Sequence, residues 1–189
     1  SLVEAKYQGK KDYVLGFEVR QNRPDCLSVV GLLRELAAYY GLKMQTPKFR
    51  LAEAKSLVKK KLDIKVENSN LVKRILAVKI AGVKNNKAPS WLSELIVLHG
   101  MRSVNSLVDL SNYIMLLTGY PSHIFDAGKV KGGLVWALND NFSEMTTLDG
   151  IQVALHKGEE LLIRDSAHPL SLSGIVGGRV AAVEEKTQD

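Results

Sequence analysis

Residues 100–126, GMRSVNSLVDLSNYIMLLTGYPSHIFD, hold the densest set of side chains able to do chemistry. An apolar, helix-spaced stretch carries polar Ser111, Asn112 and Tyr113, breaks at Gly119-Tyr120-Pro121, and delivers His123 and Asp126 beside Phe125. A few polar groups on and after an apolar helix are what orients a small molecule in a greasy cavity. His123 has two readings: a loop histidine bonded to backbone, or an imidazole that works with Asn112 and Asp126 to orient a water or an ester. Arg102, just past a helix stop, either pairs with Asp109 or offers its planar fork to a phosphate or carboxylate. Residues 172–178, LSGIVGG, read as a strand entering a glycine turn. Such a turn is either merely tight or lets backbone N–H groups approach a ligand closely.

Other chemistries lack their signatures. The Gly-Gly pairs at 132–133 and 177–178 are followed by neither a phosphate-loop Lys-Ser/Thr nor a dinucleotide fingerprint. His99, His123, His156 and His168 do not fall at zinc-ligand intervals, so no metal site is expected. Cys26 is the single cysteine, which excludes an intrachain disulfide framework and fits a reducing, cytoplasmic setting. No apolar run approaches the roughly 20 residues that cross a bilayer, and no signal-peptide pattern opens the sequence, so a soluble protein is expected. The formal charge of +6 fits a polyanionic partner. Lys55 and Lys59-Lys60-Lys61 read either as a solvated helix face or as a basic patch for RNA. Trp91, at helical spacing, reads as core.

These residues need elements to position them. KDYVLGFEV (11–19) alternates like a half-buried strand. Asp25 is the expected N-cap of a helix carrying Leu27, Val30, Leu33, Leu36 and Ala37 and stopped by Gly41. Residues 45–61 are polar and lysine-rich, with a short helix over 51–60, and mark a boundary. DIKVEN and RILAVKIAGV read as strand, turn and strand. Pro89 and Ser90 open a second helix that Gly100 ends, and Ser106 to Thr118 form a third. GLVWAL, MTTL, IQVAL and ELLIRDS then read as strands separated by turns such as Asp149-Gly150. Without regular βαβ alternation, the expected class is α+β, with mixed, largely antiparallel sheets packed against about three main helices.

The same residues resemble a family: the editing region of the bacterial phenylalanyl-tRNA synthetase beta subunit. NRPDCLSVVGLLRELA, VEN, the Pro-Ser-Trp-Leu helix start, GMRSVNSLVDLSNY, GYPSHIFD, LDG and LSGIVGG follow the family's order along nearly the whole sequence. The resemblance implies hydrolysis of tyrosine misesterified to tRNA(Phe). A pocket built for phenylalanine rejects an added hydroxyl poorly, so a second sieve is needed. By position, His123 and Asn112 match the polar residues beside the ester. Arg102 and Ser111 match further polar pocket positions, and Gly174 and Gly177 match glycines that shape the amino-acid pocket. The implied mechanism is water attack without a covalent enzyme nucleophile, His123 and Asn112 positioning water or the terminal ribose and N–H groups near Gly174 to Gly177 binding the oxyanion. The family commonly has glutamine at Tyr120, alanine at Ile124 and Ala or Gly at Ser173. Its tyrosine-reading glutamate lies several residues beyond the match to Thr187-Gln188 and is expected past Asp189.

The resemblance further implies tRNA(Phe), misacylated tyrosine and a synthetase alpha subunit in an alpha2-beta2 assembly as partners, with no membrane. No cofactor is expected for this domain; ATP and magnesium belong to the full synthetase. The expected division is an N-terminal strand-helix segment with basic linker over 1–61, then an editing-type α+β domain over 62–189, truncated at its C-terminal end. Two readings compete with the editing fragment. One is a non-catalytic RNA-binding or scaffolding module whose pocket has filled, and the other is a freestanding trans-editing or amino-acid-binding protein.

Overall fold

A computed structural model describes residues 1–45 and 62–189. The chain forms two units, Ser1–Lys59 with Asn86–Ser122, and Lys60–Asn85 with His123–Asp189. The helix expected over 51–60 and the lysines around it lie outside the described residues.

The first unit opens with an antiparallel hairpin of β1 (Leu2–Tyr7) and β2 (Lys10–Leu15), register Tyr7↔Lys10. Gln8 and Gly9 make the turn with φ of 50° and 72°, the positive values that a two-residue hairpin of matching twist requires. The sequence pattern located only the second strand and ran it to Val19, whereas it ends at Leu15. Both strands are mostly exposed, so β1 carries little buried alternation to betray it.

Helix α1 (Val29–Tyr39) starts one turn later than expected. Asp25 is not its cap: Pro24–Cys26 form a 3₁₀ turn, and Asp25 pairs there with Arg23 at 2.7 Å. The cap is Ser28, whose Oγ accepts from the Gly31 N–H at 3.0 Å. The tight turn leaves Gly31 no room, since a Cβ there would meet the Asp25 carbonyl oxygen at 1.7 Å. Helices α2 (Ser90–Leu98) and α3 (Ser106–Thr118) stand where expected. Ala88, Leu92 and Ile96 form their buried centre, with Met101, Tyr113 and Leu116 packed on it. Trp91, expected in the core, is instead 40% exposed, and its ring meets Tyr113 edge-on at 5.7 Å. Asn105 caps α3 by accepting from the Val108 N–H, and Gly119 ends it at φ 82°.

The second unit is a sheet. Its strands are β3 (Ile64–Val66), β4 (Leu134–Leu138), β5 (Glu144–Thr146), β6 (Gln152–Ala154), β7 (Leu161–Arg164), β8 (Pro169–Leu172) and β9 (Val176–Gly177). Five of them run β3-β4-β7-β8-β9, parallel only between β3 and β4, while β5 and β6 pair separately. Met145, Leu155 and Leu162 are its core, joined by Phe142, Val153, Leu172 and Val176. The class is α+β with mostly antiparallel sheets, as the sequence implied.

One expected strand is missing. RILAVKIAGV (74–83) pairs with no described strand, and Leu76, Val78 and Ile80 are 89%, 82% and 63% exposed. Alternation alone cannot make a strand, because the backbone needs a ladder partner.

Two buried acids brace the frame. Asp109 in the first unit accepts from Ser103 Oγ at 2.6 Å and the Val104 N–H at 2.9 Å. Asp165, at the β7–β8 corner, accepts from the N–H groups of Lys131, Ala167 and His168. The last residues also fold back onto the second unit: Thr187 Oγ1 donates to Asp126 Oδ2 at 2.6 Å, and Asn85 Nδ2 to the Glu184 carbonyl at 2.7 Å.

Candidate functional site

His123 and the Gly174 turn meet in the second unit. The Gly174 N–H donates to His123 Nε2 at 3.3 Å. That nitrogen is therefore unprotonated, the imidazole is neutral and its proton sits on Nδ1. Ser171 Oγ, fully buried, lies 3.4 Å from both ring nitrogens and donates to the Val176 carbonyl at 2.9 Å. The Phe125 ring lies nearly parallel to the imidazole, 15° apart with centroids at 6.1 Å. The buried part of the ring pushes its pKa below the ordinary imidazole value, because desolvation disfavours the cation.

Neutral and held by a backbone donor, His123 ties its own loop to the Gly174 turn. Its Nδ1–H is a donor, and its Nε2 becomes a base once the Gly174 amide lets go. While that bond stands, the Gly174 amide is not free for an oxyanion. Gly174 needs glycine for its φ of 76°, since a Cβ there would touch nothing within 4 Å. Gly177 is a glycine of close approach, where a Cβ would meet Leu148 Cδ1 at 2.9 Å.

Arg102, Ser111 and Asn112 belong to the first unit, on α3 and the loop before it. Ser111 Oγ hydrogen-bonds Ser122 Oγ at 2.9 Å. Asn112 is half-buried, and its amide bonds no other described residue. Arg102 is exposed and pairs with no carboxylate among the described residues. Asp109, its expected partner, is spent on Ser103 and Val104. Arg102, Ser111 and Asn112 thus fall in one unit, and His123, Gly174 and Gly177 in the other.

Sequence reasoning missed Ser171. Its signal is a hydroxyl on a strand, PLSL, whose burial is otherwise nearly continuous. It also missed Asp165, although Asp-Ser-Ala-His is a turn sequence in which a carboxylate gathers following amides. Among the described residues, His156, Glu159 and Glu160 bring three would-be metal ligands within 4.8 Å of one another. Both Glu160 oxygens already accept from the His156 N–H.

Residues 71–189 match the family model of the B3/4 domain. The chain belongs to the B3/4 domain family. All six residues singled out, from Arg102 to Gly177, fall inside the B3/4 match. Nearly the whole chain is also similar to phenylalanine–tRNA ligase beta subunits. It is 32% identical to that of Fusobacterium nucleatum over 184 residues, which is 97% of this chain and 23% of the relative. It is 36% identical over 186 residues to that of Bdellovibrio bacteriovorus, 98% of this chain and 23% of the relative. For Desulfotalea psychrophila the identity is 38% over 181 residues, 94% of this chain and 22% of the relative. The chain therefore spans under a quarter of the length of these relatives. A crystal structure of an N-terminal fragment of the phenylalanyl-tRNA synthetase beta subunit from Pyrococcus horikoshii aligns with a TM-score of 0.47 at 17% identity, covering 98% of this chain and 56% of that one.

Proposed function

We propose that this B3/4 chain is part of a phenylalanyl-tRNA synthetase beta subunit and hydrolyses tyrosine wrongly esterified to tRNA(Phe). The observation that carries this reading is the near full-length similarity to beta subunits, with the polar residues of 102–123 inside the B3/4 match. Its partners are tRNA(Phe), drawn by a chain of net charge +6, and an alpha subunit in an alpha2-beta2 enzyme that works in the cytoplasm. Hydrolysis here needs no cofactor; ATP and magnesium serve ligation by the complete enzyme.

Water is the nucleophile. Its oxygen bonds the ester carbon as the bond to the ribose oxygen breaks, releasing tyrosine and a free tRNA 3′ end. Cys26 is unsuited to attack, because it is buried and burial pushes its thiol pKa up. His123 positions the water through Nε2 once the Gly174 amide releases that nitrogen. Asn112, with an uncommitted amide, holds the terminal ribose. Arg102 and Ser111 contact the substrate's polar groups, and the turn from Gly174 to Gly177 shapes the space for the amino acid.

Deacylation of Tyr-tRNA(Phe) and Phe-tRNA(Phe) by the full enzyme tests this. His123→Ala and Asn112→Ala should each slow Tyr-tRNA hydrolysis by about 100-fold, leaving Phe-tRNA untouched; wild-type rates in both variants would sink it. The second reading, a scaffold that binds tRNA without cutting the ester, is favoured by the engagement of the Gly174 amide with His123. It requires tRNA binding with no hydrolysis by the wild-type enzyme.

A further inference from the structure

Side chains directly opposite one another on antiparallel strands share a face of the sheet. Trp136 stands opposite Ile163, Ile163 opposite Ser171, and Ser171 opposite Gly177. The row continues past β9: Thr147 bridges Gly178, and the Leu148 N–H donates to the Gly177 carbonyl at 3.0 Å, which sets Leu148 opposite Gly177. Trp136, Ile163, Ser171, Gly177 and Leu148 therefore cross one face in order. Leu172 and Val176, one position along from Ser171 and Gly177, point to the other face and pack on the core.

Burial changes abruptly along this row. Trp136, Ile163 and Ser171 are buried, whereas Leu148 is 56% exposed. His123 lies against Ser171, both ring nitrogens 3.4 Å from its Oγ. Gly177 is a notch between that polar end and the leucine. A Cβ there would meet Leu148 Cδ1 at 2.9 Å and Cγ at 3.4 Å, so the tip of the leucine leans over the glycine. The backbone beneath is fixed, because buried Thr147 closes the turn: its N–H donates to the Ile151 carbonyl at 2.9 Å and its Oγ1 accepts from the Ile151 N–H at 3.1 Å. The side chain, more than half in solvent, is free to change rotamer.

We propose that Leu148 is a specificity-determining residue of this site, the apolar wall across the Gly177 notch from His123 that contacts the ligand's aromatic side chain and limits its size. The inference rests on the hydrolytic reading, to which it adds the group that touches the amino-acid side chain. The two ends of the notch differ in the way an aminoacyl ester requires: His123 and Ser171 offer polar atoms to the ester, and Leu148 offers carbon to a ring. A ring entering over Gly177 needs the volume that Cδ1 now holds. The leucine turns outward, packs on the ring and loses exposed surface as it does so.

Deacylation kinetics of the full synthetase on tRNA(Phe) charged with tyrosine or with the larger tryptophan test the proposal. Leu148→Ala should raise the tryptophan-to-tyrosine ratio of kcat/KM by about tenfold, the scale on which a pocket wall discriminates by size. Leu148→Trp should raise KM for Tyr-tRNA by about tenfold with kcat held within about twofold, and Leu148→Met, which conserves volume, should behave as wild type. An unchanged ratio and an unchanged KM, with hydrolysis intact, would overturn the proposal and leave the hydrolytic reading standing. If the wild type cleaves neither ester, that reading fails, and methyl NMR of the same enzyme with L-tyrosine decides the role of Leu148. Leu148 methyl resonances shifted by the ring current would uphold the wall; unmoved resonances would overturn it.

Discussion

Two stretches of the second unit, LVWAL (134–138) and RILAVKIA (74–81), are comparably apolar and have opposite surroundings. The first is β4, hydrogen-bonded to β3 on one side and β7 on the other, with Trp136 and Ala137 8% and 2% exposed. The second has no strand partner among the described residues, and its Leu76 is 89% exposed. An apolar run confers the capacity to be a strand; a neighbour that satisfies its amides and covers its face makes it one.

The sharpest way to break the contrast is to delete equal side chains from each setting. Leu162→Ala on β7 empties a fully buried site and should cost about 3 kcal/mol in urea unfolding; a loss below about 1 kcal/mol would mean that the sheet core is looser than its burial implies. Asp165→Ala comes next, removing the acceptor of three backbone N–H groups at the β7–β8 corner. It should cost about 2 kcal/mol in the same assay, since one of those amides can turn to water. The His123–Gly174 bond gives a smaller effect, read through pH. Burial lowers the folded-state pKa of His123 below the unfolded value near 6.5. Its contribution is therefore complete above that value and is lost as pH falls from there through the folded pKa. Stability of the wild type should fall more steeply on acidification than that of His123→Gln; parallel curves would show that the imidazole is not desolvated. The smallest effect belongs to Leu76→Ala, within about 0.5 kcal/mol for residues 1–189. A larger loss would place Leu76 in a core.

Helices were the most legible part of the sequence, because their signals are local. Pro89 and Gly100 bracket α2, and Asn105 and Gly119 cap α3. The start of α1 misled because Asp25 and Ser28 are both good caps, and only the 3₁₀ turn at Pro24 decides between them. Strand capacity was legible in LVWAL, yet the same reasoning put a strand at 74–83, where the deciding neighbour is not written in the segment itself. In the candidate site, His123 and the Gly174 turn were both visible as residue types, but their hydrogen bond spans 51 positions. Ser171 escaped notice because a serine on a short strand looks like an outward-facing polar residue until its burial is known.

The parallel pair β3–β4 joins Ile64 to Leu134, and Asn86–Ser122, which belong to the first unit, lie between them in the chain. The sheet therefore cannot close until about 70 intervening residues have been made and looped out, an ordering cost met before any contact of that pair repays it. During synthesis the first unit has its last residue, Ser122, in hand while the second still lacks four of its five main-sheet strands. The helical unit is thus the natural early folder and the sheet the late one, with β3 waiting unpaired on the ribosome until β4 emerges.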